Sequence, residues 1–251
     1  MINVKTDNGI AIVTIAHGKA NALDMELSEE LEKCFAQIAQ SPARAVVVTG
    51  QRRIFSAGVD LIRLSAGGPD YVRKFLPALD RAFNAVFFFP KPVIAAINGH
   101  AIAGGCVLAC CADRRIVARA TGRIGVTELL VGVPFPAVAF ETMRLAVPAR
   151  HLPELLYTGA TFDVDAALER GLVDAVVPPD ELMPSALAAA GQLASLSPAA
   201  FALTKAQLRA EARERLKRDG AATDKVAAEI WAAEPTLRYI RDYVASTFKK
   251  A

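Results

Sequence analysis

The chain has 251 residues, 53% of them hydrophobic, and a formal net charge of +3. That is enough apolar material for one sizeable core, or for one large domain with a small appendage. The charge excess is slight and forms no basic block, which argues against nucleic acid as the main partner.

Two β-rich runs open the chain, INVKTDN and IAIVTIAH, joined through Asn8-Gly9, a strong hairpin signal between alternating apolar residues. MELSEELEKCFAQIAQ follows, with Leu27, Leu31, Phe35 and Ile38 at helical spacing. RAVVVTG reads as a buried strand ending at Gly50, Arg52 to Ala66 as a glycine-containing loop, and PDYVRKFLPALDRAFNAVFFF as a helix. KPVIAAING is the next buried strand, GGCVLACCAD a helix and RRIVARA a strand. Strands thus alternate with helices to about Arg119, and their unbroken Val/Ile runs imply parallel, buried pairing. Beyond Thr127 the pattern is mainly helical. DAALERG and LVDAVV form one late helix–strand step. DELMPSALAAAGQLASLS, PAAFALTKAQLRAEARERLK and PTLRYIRDYVASTFKK read as helices. The expected organisation is an α/β core over 1–195 and a helical region over 196–251.

Pro92 to Ala112 lacks charge and is long enough to raise a membrane question. It contains Asn98, Gly99, Gly104 and Gly105 and splits into an extended half and a helical half, so a buried strand–turn–helix explains it better than a span. The basic run KAQLRAEARERLKRD mixes signs at helical spacing and reads as a solvated helix face. The N-terminus resembles neither a signal nor a transit peptide. Cys34, Cys106, Cys110 and Cys111 form no CxxC pair, which suits a reducing, cytoplasmic setting. His17, His100 and His151 have no metal-ligand spacing, GxSxG is absent, and no Walker or GxGxxG loop occurs, so no metal or bound cofactor is expected.

Four stretches carry a resemblance: KANALD at Lys19, VVTGQRRIFSAGVDL at Val47, KPVIAAINGHAIAGGCVLACCADRRIVA at Lys91, and IGVTELLVGVPFP at Ile124. With the later ATFDVDAALERGLVDAVVP, they occur in the order and spacing of the enoyl-CoA hydratase/isomerase (crotonase) family, which the chain resembles over nearly its whole length. The resemblance implies a spiral of ββα units with a helical C-terminal trimerisation region, a homotrimer or dimer of trimers, and an acyl-CoA substrate. Coenzyme A then enters only as part of the thioester. The residues themselves support an α/β core with a helical tail.

Family members stabilise an enolate-like oxyanion on a thioester carbonyl, which in a dry site requires preorganised donors. In SAGVD, Gly58 permits a tight turn that aims the Val59 N–H into a cavity. In IAGGC, Gly104 opens a helix, and helix starts present unpaired N–H groups. The resemblance assigns Val59 N–H and Gly104 N–H to the oxyanion hole. Lys19, Ala20, Ser56, Ala57, Gly58 and Asp60 fall where the family binds substrate or CoA, with the Ala57 carbonyl facing the adenine amino group; turn capping is an equal reading for Asp60. Hydratase-type sites use two glutamates. The first position here is Val107; the second is Glu128, whose other reading is a first-turn acid complementing a helix dipole after Thr127. One acid beside an oxyanion hole fits a double-bond shift by proton transfer. The alternatives are a hydratase of low or unusual activity and a non-catalytic acyl-CoA-binding oligomer.

Overall fold

The computed structural model describes residues 1–119 and 122–247. β1 (Ile2–Asp7) and β2 (Ile10–Ile15) pair antiparallel, with Asp7 opposite Ile10. Asn8 and Gly9 between them both have positive φ, 47° and 76°, the two-residue turn that matches strand twist. α1 (Met25–Gln40) is capped by Asp24, whose carboxylate accepts from Leu27 N at 2.8 Å. β3 (Ala45–Gly50) and β4 (Ile54–Ser56) follow, then α2 (Leu61–Phe87), β5 (Val93–Ile97), β6 (His100–Ile102), α3 (Gly104–Cys110), β7 (Arg114–Ala118) and β8 (Ile124–Gly125). A 3₁₀ turn, Glu128–Val131, leads to α4 (Ala137–Ala146), α5 (Leu152–Thr158), α6 (Val164–Glu169) and β9 (Ala175–Val177). The chain ends in α7 (Leu182–Ala194), α8 (Pro198–Leu208), α9 (Ala210–Arg215), α10 (Ala221–Ala232) and α11 (Glu234–Thr247), with a π-helical turn at Leu216–Gly220.

Six strands form one sheet in the order β1-β2-β3-β5-β7-β9, and β4-β6-β8 form a second. Every pairing except β1–β2 is parallel. From β3 to β8 each turn of chain therefore places one strand in each sheet before the next helix. That alternation is the ββα spiral the resemblance implies. The apolar segment 92–112 is β5, β6 and α3, and no single helix among the described residues is long and apolar enough to cross a membrane.

The expectations differ from the structure in three places. The segment read as a loop over Arg52–Ala66 contains β4 and the first turns of α2. Three-residue strands are too short to show a period. The helix starts at Leu61 because Asp60 caps it, accepting from Arg63 N at 2.9 Å. Gly68, at φ 64°, breaks that helix in its course, and Pro69 restarts it at a position where its missing N–H costs nothing. Third, Trp231, an aromatic of the C-terminal helical region to which the resemblance assigns trimerisation, is 2% exposed within its own chain. Its indole N–H donates to Pro134 O at 2.9 Å, and Leu237 and Ile240 join the same core, as α10 and α11 fold back on α2. Tyr239 remains exposed, while Phe248 lies outside the described residues.

Candidate active site

The loop after β4 and the start of α3 meet edge to edge. Gly58 has φ 85°, and a Cβ there would stand 2.7 Å from Ile102 O and 2.9 Å from Ala103 Cβ, so only glycine fits. Leu23 N–H donates to Gly58 O at 2.7 Å, and Asp60 N–H donates to Leu23 O at 3.0 Å. These bonds flank Val59 and leave its own N–H outside the ladder. On the other side Ala103, at φ 50° and ψ −126°, holds a backbone conformation that side-chain-bearing residues rarely adopt. Ala103 N–H is fixed to Gly125 O at 2.8 Å, and its carbonyl accepts from Cys106 and Val107. Gly104 thus enters α3 with its amide unspent. A Cβ on Gly104 would touch Leu23 Cδ1, Phe83 Cζ and Val59 Cγ2, at 3.1, 3.7 and 3.7 Å. Val59 and Gly104 are therefore neighbours beside Leu23 and Phe83. Among the described residues neither amide has an internal acceptor.

β8 hydrogen-bonds beside β6 and carries the chain through Val126 and Thr127 to Glu128. Glu128 is 7% exposed, and its Oε2 meets no donor. Burial pushes its carboxyl up to about 7, opposed only by the backbone amides of Glu128 itself and Thr127; no neighbouring charge takes part. The Thr127 side chain makes no capping bond. Glu128 faces the first turn of α3: the Cys106 thiol is held well up by its hydrogen bond to Cys110 and by burial, with the Glu128 charge adding to both. Val107, in that helix, is fully buried and aliphatic. The other buried acids are spoken for. Asp24 binds His17 Nε2 at 2.7 Å and Arg63 at 2.9 Å, and Glu141 binds Arg215 at 2.8 Å.

The remaining site residues separate into two groups. Ala57 N–H donates to Ala20 O at 3.0 Å, which brings exposed Lys19, half-buried Ala20 and exposed Ala57 together as a rim beside the Gly58 turn. Ser56 does not join them: its buried hydroxyl donates to Asn21 O at 2.8 Å and accepts from Gly58 N at 3.2 Å. It holds the loop instead of offering a group to substrate. Asp60 likewise spends its carboxylate capping α2. Two residues that hold these turns were not legible as such. Asn21, at φ 49° and buried, donates to Ile54 O and Phe55 O while accepting from His17 N, which pins the Lys19–Ala20 rim to β4. Ala103 carries the strain that presents Gly104; its only trace in the sequence is its place before the glycine pair.

Two unspent amides in neighbouring turns, a buried carboxyl raised to about 7 and an aliphatic surround are the kinds of group that stabilising an oxyanion and moving a proton require. The chain matches the enoyl-CoA hydratase/isomerase family over residues 5–238 and belongs to that family of acyl-CoA enzymes. It is 33% identical to a short-chain-enoyl-CoA hydratase of Clostridium acetobutylicum over 205 residues, 80% of this chain and 78% of that one. Its fold is similar to the human mitochondrial delta3-delta2-enoyl-CoA isomerase, with a TM-score of 0.94, 26% identity and coverage of 99% and 98% of the two chains. An enoyl-CoA hydratase from Mycobacterium ulcerans superimposes with a TM-score of 0.82 at 28% identity, covering 90% of this chain and 98% of that one.

Proposed function

We propose that the protein shifts the double bond of an enoyl-CoA between the 3,4 and 2,3 positions, with Glu128 as its one acid/base. The observation that carries this reading is the isolation of Glu128, a buried carboxyl raised to about 7 by desolvation, and Val107 stands at the position to which the resemblance assigns the other hydratase glutamate. A pKa near the working pH suits a group that must both take and return a proton. Glu128 removes a C2 proton from the 3-enoyl thioester. The C2–H electron pair moves into the C1–C2 bond, giving a dienolate conjugated with the C3=C4 double bond, and the charge rests on the thioester oxygen between Val59 N–H and Gly104 N–H. Glu128 then delivers the proton at C4, leaving the 2-enoyl product. Losing one such donor raises the barrier by about 2.7–4 kcal/mol. Lys19, Ala20 and the Ala57 carbonyl hold the CoA portion at the rim.

Hydration is a harder task for this site. Water must be positioned and deprotonated while a different proton reaches C2, work that two carboxylates divide. The similarity to the human isomerase supports the double-bond shift, whereas the Clostridium relative is named a hydratase. Incubating the protein with 3-enoyl-CoA, 2-enoyl-CoA and a saturated acyl-CoA tests the proposal. Formation of 2-enoyl-CoA with little 3-hydroxyacyl-CoA is expected. Efficient hydration of 2-enoyl-CoA contradicts it, and tight binding of all three without turnover points to a scaffold.

A further inference from the structure

We propose that a second binding site lies beneath α8: a half-open pocket with a buried cationic end that takes a small organic carboxylate with a short apolar chain. The cavity, about 320 Å³, lies between the C-terminal end of α3, the start of β7 and helices α7 and α8. It has room for about ten waters, more than a lone inorganic ion requires. It shares no lining residue with the oxyanion loop and does not include Glu128.

Its charges do not balance. Lys205 Nζ lies 2.6 Å from Asp113 Oδ2, and Arg209 Nη2 lies 2.7 Å from Asp113 Oδ1, with the two cationic side chains only 6% and 5% exposed. One carboxylate thus serves two buried cations, and it also accepts the Val93 N–H at 2.8 Å. Arg115, the third cation on the wall, is already matched: its Nη2 and Nε reach Asp174 at 2.6 and 3.0 Å. One positive charge is left over. Arg209 Nε and Nη1 find no acceptor among the described residues, and the guanidinium lies 4.4 Å over the ring of Phe87, itself a wall residue. Burial lowers the Lys205 ammonium to about 8 even with Asp113 in contact. A buried cation without a full counter-charge is costly, and an anion at this place relieves that cost.

The rest of the lining decides which anion. Leu145, Leu193, Phe201 and Leu208 make the cavity apolar beyond its charged end. A carboxylate supplies the single negative charge that is missing, bonds a guanidinium well, and leaves its chain against these walls. A dianionic phosphate overshoots the charge and leaves the walls wet.

Calorimetric titration of the full-length protein with sodium hexanoate tests the site, with hexanamide and sodium phosphate as comparators. Hexanoate is expected to bind saturably to the wild type, and hexanamide and phosphate at least tenfold more weakly. Arg209→Met should lose at least tenfold in hexanoate affinity while keeping the wild-type rate on acyl-CoA, because Lys205 still pairs with Asp113. Leu145→Trp, at a partly exposed wall position, should block hexanoate by filling the space without altering charge. Binding unchanged in both variants, equal binding of hexanamide, preference for phosphate, or no binding of hexanoate at millimolar concentration each overturns the proposal.

Discussion

Replacing Glu128 with glutamine should make the protein more stable and nearly inactive, and the stability gain should appear only at higher pH. The Glu128 carboxyl is raised from an ordinary 4.5 to about 7 because burial penalises its charged form. The folded state therefore holds this proton more tightly than the unfolded chain does. The stability tied to it is fully present below about 4.5, fades as pH rises, and is gone above about 7. A shift of this size corresponds to about 3 kcal/mol, an order-of-magnitude figure, at alkaline pH. Glutamine keeps the shape and never ionises. Glu128→Gln should therefore melt close to wild type at pH 5 and several degrees higher at pH 8.5. Turnover of 3-enoyl-CoA should fall by about 10²–10⁴-fold, the usual worth of a positioned acid/base, with binding of a saturated acyl-CoA little changed. Thermal melts at the two pH values and steady-state rates on one preparation measure both. Equal melting offsets at pH 5 and 8.5 would refute the desolvated carboxylate, and a substantial residual rate would refute its role.

Three further outcomes follow from the same geometry. Gly58→Ala should cut turnover by about 10²–10³-fold, because a Cβ 2.7 Å from Ile102 O must displace the Val59 amide; wild-type kinetics would show that this amide does not hold the oxyanion. Val107→Glu should lower the melting temperature and raise the ratio of hydration to isomerisation, most clearly above neutral pH where the new acid ionises. An unchanged product ratio in a folded, CoA-binding variant would mean that position 107 does not face the reacting carbons. The protein should run as a trimer-based oligomer in light scattering, and a monomer at micromolar concentration would contradict that expectation.

Much of this architecture is legible in the residues, for local reasons. Asn8-Gly9 encodes its turn, the Val/Ile runs encode buried parallel strands, and Gly104 marks a helix start whose amide is free. Val59, Gly104 and Glu128 were singled out through the resemblance their short motifs carry, and the structure leaves both amides without an internal acceptor and Glu128 buried. What was not legible depends on contacts distant in sequence. β4, β6 and β8 are two or three residues long and exist through one another, so no period betrays them. The Ser56 hydroxyl could have faced substrate until Asn21 O, 35 residues away, was found to occupy it. Trp231 reads as an interface residue by type, yet the fold-back of α10 onto α2 buries it in its own chain.

The central claim is that one carboxyl group does all the proton transfer. The pH dependence of kcat/KM for 3-enoyl-CoA, measured from pH 5 to 9, tests it most directly. Because Glu128 must be ionised to take the C2 proton, the profile should rise through a single ionisation at about 7 and stay level to the alkaline end. A profile that falls again at alkaline pH would reveal a second group that must hold a proton, and would contradict the one-acid mechanism.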